Sequence, residues 1–256
     1  MIDVMIMKRA GLTSLSNLHI IVLFHPDCNY LFKYVGREMM CITEQTQSLA
    51  QEQCGSRKRH RAINLALNKT LTYDVLWRLK RPGTICSNHM KSCYNLIGHA
   101  QASIAMQRNG VPKAQIDCLF STLQGSIQQV RTGYGDSAIF YGGDKWLIPL
   151  HGIGQGNGAG PAIWAVMNTP LLNILQKRIW LLLHQSHFSI FLSVAGYAFI
   201  NDTDLVESYY HSPVEIIISN LKASLDTWEG TLNATCSAVV SEKTFWYLID
   251  FKGEQG

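Results

Sequence analysis

The hydrophobic pattern changes period several times along the chain, and each change marks an element. Residues 18–24 are a short, β-branched apolar run closed by His25-Pro26-Asp27, which predicts a strand ending in a turn. A polar, glutamine-rich segment occupies residues 44–53. Over residues 62–81 the spacing becomes that of an amphipathic helix, with Ile63, Leu67, Leu71 and Leu76 on one side, and Pro82-Gly83 ends it. A soft boundary falls there.

Further on, residues 84–88 predict a short strand, residues 95–107 a helix, and residues 112–131 a second helix with proline in its first turn. Residues 137–141 and 145–150 flank Gly142-Gly143-Asp144, a hairpin signal. A glycine-rich loop over residues 152–160 leads through Pro161 into a helix. Residues 188–200 and 203–208 read as two strands meeting at Asn201-Asp202, followed by a helix over 213–232 and a last strand over 245–251. This order is that of an α+β fold, with helices covering one face of an antiparallel sheet.

Composition narrows the picture only a little. With 256 residues and 47% apolar content the chain can bury a sizeable core, and no repeat or low-complexity tract is visible. A net charge of +4 suits a nucleic-acid partner and suits many other proteins as well. Seven cysteines without a CxxC pair read as reduced thiols, so the expected location is intracellular, cytoplasmic or nuclear. The apolar run over residues 179–183 is too short to span a bilayer, and no secretory leader pattern opens the chain, so no membrane association is expected.

Three segments carry candidate chemistry. Gly154-Gln155-Gly156-Asn157-Gly158-Ala159 loosely fits a dinucleotide-binding turn, but that fingerprint needs an acidic residue about 20 positions on, and no Asp or Glu lies between Asp144 and Asp202. Cys86, His89, Cys93 and His99 lack the paired spacing of a structural zinc site. The basic run Arg57-Lys58-Arg59-His60-Arg61 suits a phosphate-binding loop or a solvated surface turn.

Taken together and in order, these segments resemble the reverse transcriptases of retroelements without long terminal repeats. Gln53-Cys54-Gly55-Ser56-Arg57-Lys58-Arg59-His60-Arg61-Ala62-Ile63 is similar to the fingers motif of that family, in which the cations hold the incoming triphosphate. His89 to Asn95 resembles the first palm motif, with Tyr94 as the aromatic gate against a ribose 2′-hydroxyl. Gly152 to Pro161 resembles the second, in which Gln155 and Gly156 meet the template. Phe199-Ile200-Asn201-Asp202 resembles the hairpin that normally carries two adjacent aspartates, and Lys243 stands where the family often has a lysine that helps pyrophosphate leave.

The resemblance covers residues 18–251. It implies a fingers region over 1–82 and a reverse-transcriptase-like palm over 83–256, with room for a fingers insertion within 100–135 and no thumb. It also implies an RNA template, a DNA primer and dNTP as partners, and Mg²⁺ as cofactor. Two such ions, about 4 Å apart, need carboxylates and substrate phosphates as ligands. At the metal-binding positions this chain has His89 and Asn201, with Asp202 alone retained and Asp204 as an imperfect substitute. An imidazole nitrogen prefers transition metals and an amide oxygen brings no charge. The implied function is therefore an RNA-directed DNA polymerase domain impaired by loss of its metal-binding aspartates. The alternative is a non-catalytic nucleic-acid-binding protein on the same scaffold.

Overall fold

The computed structural model describes residues 1–8, 11, 14, 18–91, 93–143, 149–183, 196–209 and 212–251. In chain order the elements are β1 (Ile2–Met7), β2 (Leu18–Leu23), α1 (Pro26–Gln45), α2 (Ala62–Arg78), β3 (Gly83–His89), α3 (His99–Arg108), α4 (Lys113–Gln124), β4 (Ile127–Thr132), β5 (Gly135–Gly142), α5 (Gly160–Leu183), β6 (Gly196–Phe199), β7 (Asp202–Ser208), α6 (Val214–Ala234) and β8 (Phe245–Ile249). Single 3₁₀ turns lie at Cys93–Asn95 and Ser241–Lys243. The chain divides into two compact units, each assembled from two separated segments: residues 1–48 with 94–166, and residues 49–93 with 167–256. All seven cysteines are free, and no helix among the described residues is long and apolar enough to cross a membrane.

The first unit holds a four-stranded sheet in the order β2-β1-β4-β5. β1 runs antiparallel to β2 and parallel to β4, and β4 turns back on β5 through Gly133-Tyr134. One expectation is corrected at this point. The helix expected over 112–131 stops at Gln124, because Gly125 interrupts it and Ile127 onward pairs with both β1 and β5. β4 and β5 form a hairpin around Gly133-Tyr134, next to which Gly135 takes a φ of +121° that suits glycine, and the hairpin expected at Gly142-Gly143-Asp144 runs into residues outside those described. Residues 144–148, most of the expected second strand, lie outside the described residues.

Helix α1 has no counterpart in the hydrophobic reading. Pro26 and Asp27, which mimic a turn, instead occupy its first turn, where proline loses no hydrogen bond and a carboxylate complements the helix dipole. Phe32, Gly36, Met39 and Thr43 form its buried stripe. Gly36 is required for packing: a Cβ there would sit 2.8 Å from the Ala159 backbone.

The second unit holds a fully antiparallel sheet in the order β6-β7-β3-β8. Its helices cover both faces, where the sequence suggested one. Strand alternation puts Ile85, Tyr197 and Val206 on one face, and α2 packs there through Leu65 and Tyr73. Glu207 points to the other face, where Ser224 of α6 donates to its carboxylate at 2.5 Å. Ile217, Leu221, Trp228 and Leu232 bury the same side of α6.

The packed side of α2 also differs from expectation. Ile63, Leu67 and Leu71 are 70%, 55% and 50% exposed, whereas Leu65, Thr72, Tyr73 and Leu76 face the sheet. The helix has two apolar stripes, and polar matching selects between them. The inward stripe carries Lys69, which pairs with Asp204 at 2.9 Å, and Thr72, which bonds the Tyr197 hydroxyl at 2.6 Å. Turning the other stripe inward would leave a buried carboxylate and a buried phenol unmatched.

Asp3 of β1 is 1% exposed and accepts a hydrogen bond from the Tyr141 hydroxyl, and the Gln128 amide nitrogen can be turned to donate to it at 2.8 Å. Burial pushes its carboxyl up from the usual range to about 6. The folded chain therefore binds this proton more tightly than the unfolded chain, so the Asp3 contribution is most favourable below the unfolded value near 3.8 and declines as pH rises toward 6. Asp3→Asn is expected to flatten the pH dependence of stability between 4 and 6, measured by urea unfolding at a series of pH values; an unchanged profile would show that Asp3 is not the group responsible.

Candidate functional site

The second unit builds a polar cluster from the ends of its two central strands. The antiparallel register sets His89, the last residue of β3, directly opposite Asp202, the first of β7. One residue past the strand, the Met90 amide donates to the Asn201 carbonyl at 2.8 Å and keeps the hairpin against β3. The hairpin turn holds Ile200 at φ +57°, a costly conformation for a β-branched residue. A neighbouring loop braces that turn. Gln53 bridges in parallel to Ala198, the Cys54 amide donates to the Ala198 carbonyl at 2.8 Å, and the Ala198 amide donates to the Glu52 carbonyl at 2.9 Å. Gly55 follows, and a Cβ on it would lie 2.5 Å from the Ile200 nitrogen.

The side chains then meet. His89 Nδ1 is 2.8 Å from Asp202 Oδ1, Asn201 Nδ2 is 3.2 Å from His89 Nε2, and Lys243 Nζ is 3.5 Å from the same Nε2. The Asp202 carboxylate accepts from Nδ1, and Asn201 Nδ2, also 3.4 Å from Nδ1, sits beside the ring between its two nitrogens. Lys243 arrives from over 150 residues away because Met90 pairs with Val239 and the Val240 amide donates to the His89 carbonyl at 2.8 Å, just before the 3₁₀ turn Ser241–Lys243. Water reaches the cluster: the Asp202 and His89 side chains are 61% and 24% exposed.

Asp204, expected as an imperfect substitute ligand, is engaged elsewhere. Its side chain is 4% exposed, ion-paired to Lys69 and hydrogen-bonded by Ser87 Oγ at 2.5 Å. It belongs to the packing of α2.

The basic run divides between structural and exposed roles. Arg57 reaches back to the Ala50 and Gln53 carbonyls at 3.4 and 3.3 Å, closing the loop on itself. Lys58, Arg59, His60 and Arg61 are exposed, and Arg61 caps α2 with its backbone amide on the Asn64 side-chain oxygen at 3.0 Å. Gln53, central to the motif by resemblance, is fully buried; its amide donates to the Gly55 carbonyl and accepts from Asn168 at 2.7 Å.

Tyr94, Gln155 and Gly156 belong to the first unit. There the Tyr94 carbonyl accepts from the Ile153 amide at 2.8 Å, and the Asn95 side chain accepts from the Gln155 amide at 3.3 Å. The glycine loop is clamped to its own unit. The Gln155 carbonyl accepts from the Val22 amide, while Asn29 donates to the Gly156 carbonyl and accepts from the Gly158 amide. Gly156, at φ +123°, would bring a Cβ within 2.3 Å of the Val22 carbonyl oxygen, so glycine is needed for this protein contact. Its repeated glycines were the visible signal of that close approach, whereas nothing local in the sequence marked Lys69, Ser87 or Asn29 as partners.

The donor set does not fit a pair of magnesium ions. One carboxylate, one imidazole and one amide converge, the carboxylate is engaged by the imidazole, and no group of three or more His, Cys, Asp or Glu suited to a metal ion occurs among the described residues.

No family model matches the chain, and no curated protein matches its sequence. Solved structures do match its fold. Telomerase from Candida albicans, in complex with a TWJ fragment of telomeric RNA, superposes with a TM-score of 0.61 at 11% identity, covering 99% of this chain and 42% of that one. Apo telomerase from Candida tropicalis, truncated from its C-terminal domain, gives 0.57 at 12% identity, covering 88% of this chain and 40% of that one. The chain thus spans about two fifths of these neighbours. At such identity the likeness is one of fold, which is α+β and reverse-transcriptase-like in general architecture.

Lys69→Met should cost about 2–4 kcal/mol in chemical denaturation, because it strands the buried Asp204 carboxylate, with some relief from the partial exposure of Lys69. Lys58→Met on the exposed loop should change stability by no more than about 0.5 kcal/mol. Equal effects would remove the Lys69–Asp204 pair as the reason α2 packs as it does.

Proposed function

We propose that this chain is the fingers-and-palm portion of an RNA-directed DNA polymerase from a retroelement without long terminal repeats, retaining nucleic-acid binding and impaired in nucleotidyl transfer. The observation that carries this reading is the register of β3 on β7, which sets His89 against Asp202 with Asn201 beside them. Those are the residues that align with the metal-binding positions of the family the sequence resembles. The ordered motif segments and the likeness in fold to telomerase, one structure of which contains RNA, support the same reading.

Binding follows from the exposed cations. Lys58, Arg59 and Arg61 are exposed on the loop that follows Gly55, which abuts the hairpin turn. Arginine offers paired donors to phosphate oxygens and lysine a mobile point charge. Catalysis is impaired because the donors at positions 89 and 201 contribute no negative charge to hold divalent ions between a primer hydroxyl and a triphosphate. The expected location is intracellular, where RNA and dNTP occur.

Primer extension on an RNA template with dNTP and either Mg²⁺ or Mn²⁺ tests this directly. The chain is expected to give no incorporation, while its RNA affinity falls linearly in log–log form with added salt. The double substitution His89→Asp, Asn201→Asp is expected to restore detectable extension. Incorporation by the unsubstituted chain would refute the impairment, and absence of salt-sensitive RNA binding would refute the nucleic-acid reading.

A further inference from the structure

The cluster that fails as a magnesium site has the opposite character, that of an anion site. Asp202 is the only carboxylate among its described contacts, and it is held by His89 Nδ1. The Asn201 amide nitrogen lies beside the ring, 3.2 Å from Nε2 and 3.4 Å from Nδ1, and the Lys243 ammonium lies 3.5 Å from Nε2. The ring offers at most one lone pair on this side, which cannot satisfy an ammonium and an amide NH₂ together, so N–H bonds are left for an incoming acceptor. Those donors project from a cluster open to water, and Lys243 is itself exposed.

Charge points the same way. Lys243 and Asp202 balance each other within the cluster, with no further acid in contact among the described residues, and the exposed loop residues Lys58, Arg59 and Arg61 add positive charge from the segment braced on the same hairpin. A divalent ion would meet nitrogen donors and a cation there, which repel it or bind it poorly. A phosphodiester oxygen would meet an ammonium and an amide, the donors that charge-assisted phosphate recognition uses.

We infer that His89, Asn201 and Lys243 form a metal-independent phosphate site for a single-stranded RNA backbone, with protein donors occupying the place where the resembled enzymes use divalent cations. This rests on the nucleic-acid reading above. His89 is a positioning residue in this site: tied by Asp202, it sets the spacing of the Asn201 and Lys243 donors, which themselves contact the phosphate.

The test is fluorescence anisotropy of a labelled single-stranded RNA 12-mer, titrated with the full chain in EDTA and in Mg²⁺ across a range of salt concentrations. The expected affinity is the same within about twofold in EDTA and in Mg²⁺. Lys243→Met is expected to weaken binding about fivefold and to lower the salt slope by about 0.7, the loss of one phosphate contact to a single strand. Asn201→Asp, which puts a second carboxylate beside Asp202, is expected to weaken binding in EDTA and to make it recover with Mg²⁺. Binding by the unsubstituted chain that disappears in EDTA overturns the inference. So does Lys243→Met with an unchanged affinity and slope while Arg59→Ala, Arg61→Ala weakens binding, and that outcome leaves the nucleic-acid reading standing. No RNA binding under any condition overturns both.

Discussion

The antiparallel register of β3 with β7 is the constraint on which the second unit depends. It matches seven residue pairs, from Gly83 opposite Ser208 to His89 opposite Asp202, and a slip of one residue would send every side chain to the other face. In the observed register Ser87 lies opposite Asp204, Ile85 opposite Val206 and His89 opposite Asp202. The first pair is a hydrogen bond, the second the centre of the apolar core, and the third the polar cluster. One ladder therefore sets both the stability of the unit and its chemistry.

Polar matching then decides which way the helices face. Asp204 is buried, and leaving its carboxylate without Lys69 would cost about 3–5 kcal/mol, which weighs against turning the Ile63, Leu67 and Leu71 stripe of α2 inward. Thr72 on Tyr197 adds a second match on the same stripe. The same logic operates across the sheet, where Glu207 is satisfied by Ser224 and Tyr209 and fixes the rotation of α6 around the apolar contacts of Trp228 and Leu232.

The cluster at positions 89, 201, 202 and 243 is built from rigid elements, with strand ends, a hairpin turn and a 3₁₀ turn each pinned by backbone hydrogen bonds. The strained Ile200 turn is held by the Gln53-Cys54-Gly55 segment, so the basic loop and the hairpin form one mechanical piece. On such a scaffold an imidazole, an amide and an ammonium favour anionic oxygens, whereas a set of carboxylates would favour hard cations.

Local patterns settled those parts of the protein in which residue type alone decides the outcome. Alternating and β-branched runs marked β2, β3, β7 and β8, Pro82-Gly83 marked the end of α2, and the glycine run of 152–160 marked a close backbone approach. The order of motifs also identified His89, Asn201, Asp202 and Lys243 as one group, and the side chains do meet. Tertiary structure decided what local pattern left degenerate. Helix α1 begins with residues that equally make a turn, β4 continues a helix-like run and becomes a strand because β1 and β5 pair with it, and α2 could have buried either stripe. Asp204 and Arg57 look like functional groups in sequence and are consumed by Lys69 and by the carbonyls of Ala50 and Gln53. Sequence determines which groups a chain has to offer; the partners that use them up lie far away along the chain, and only the packed fold brings them into reach.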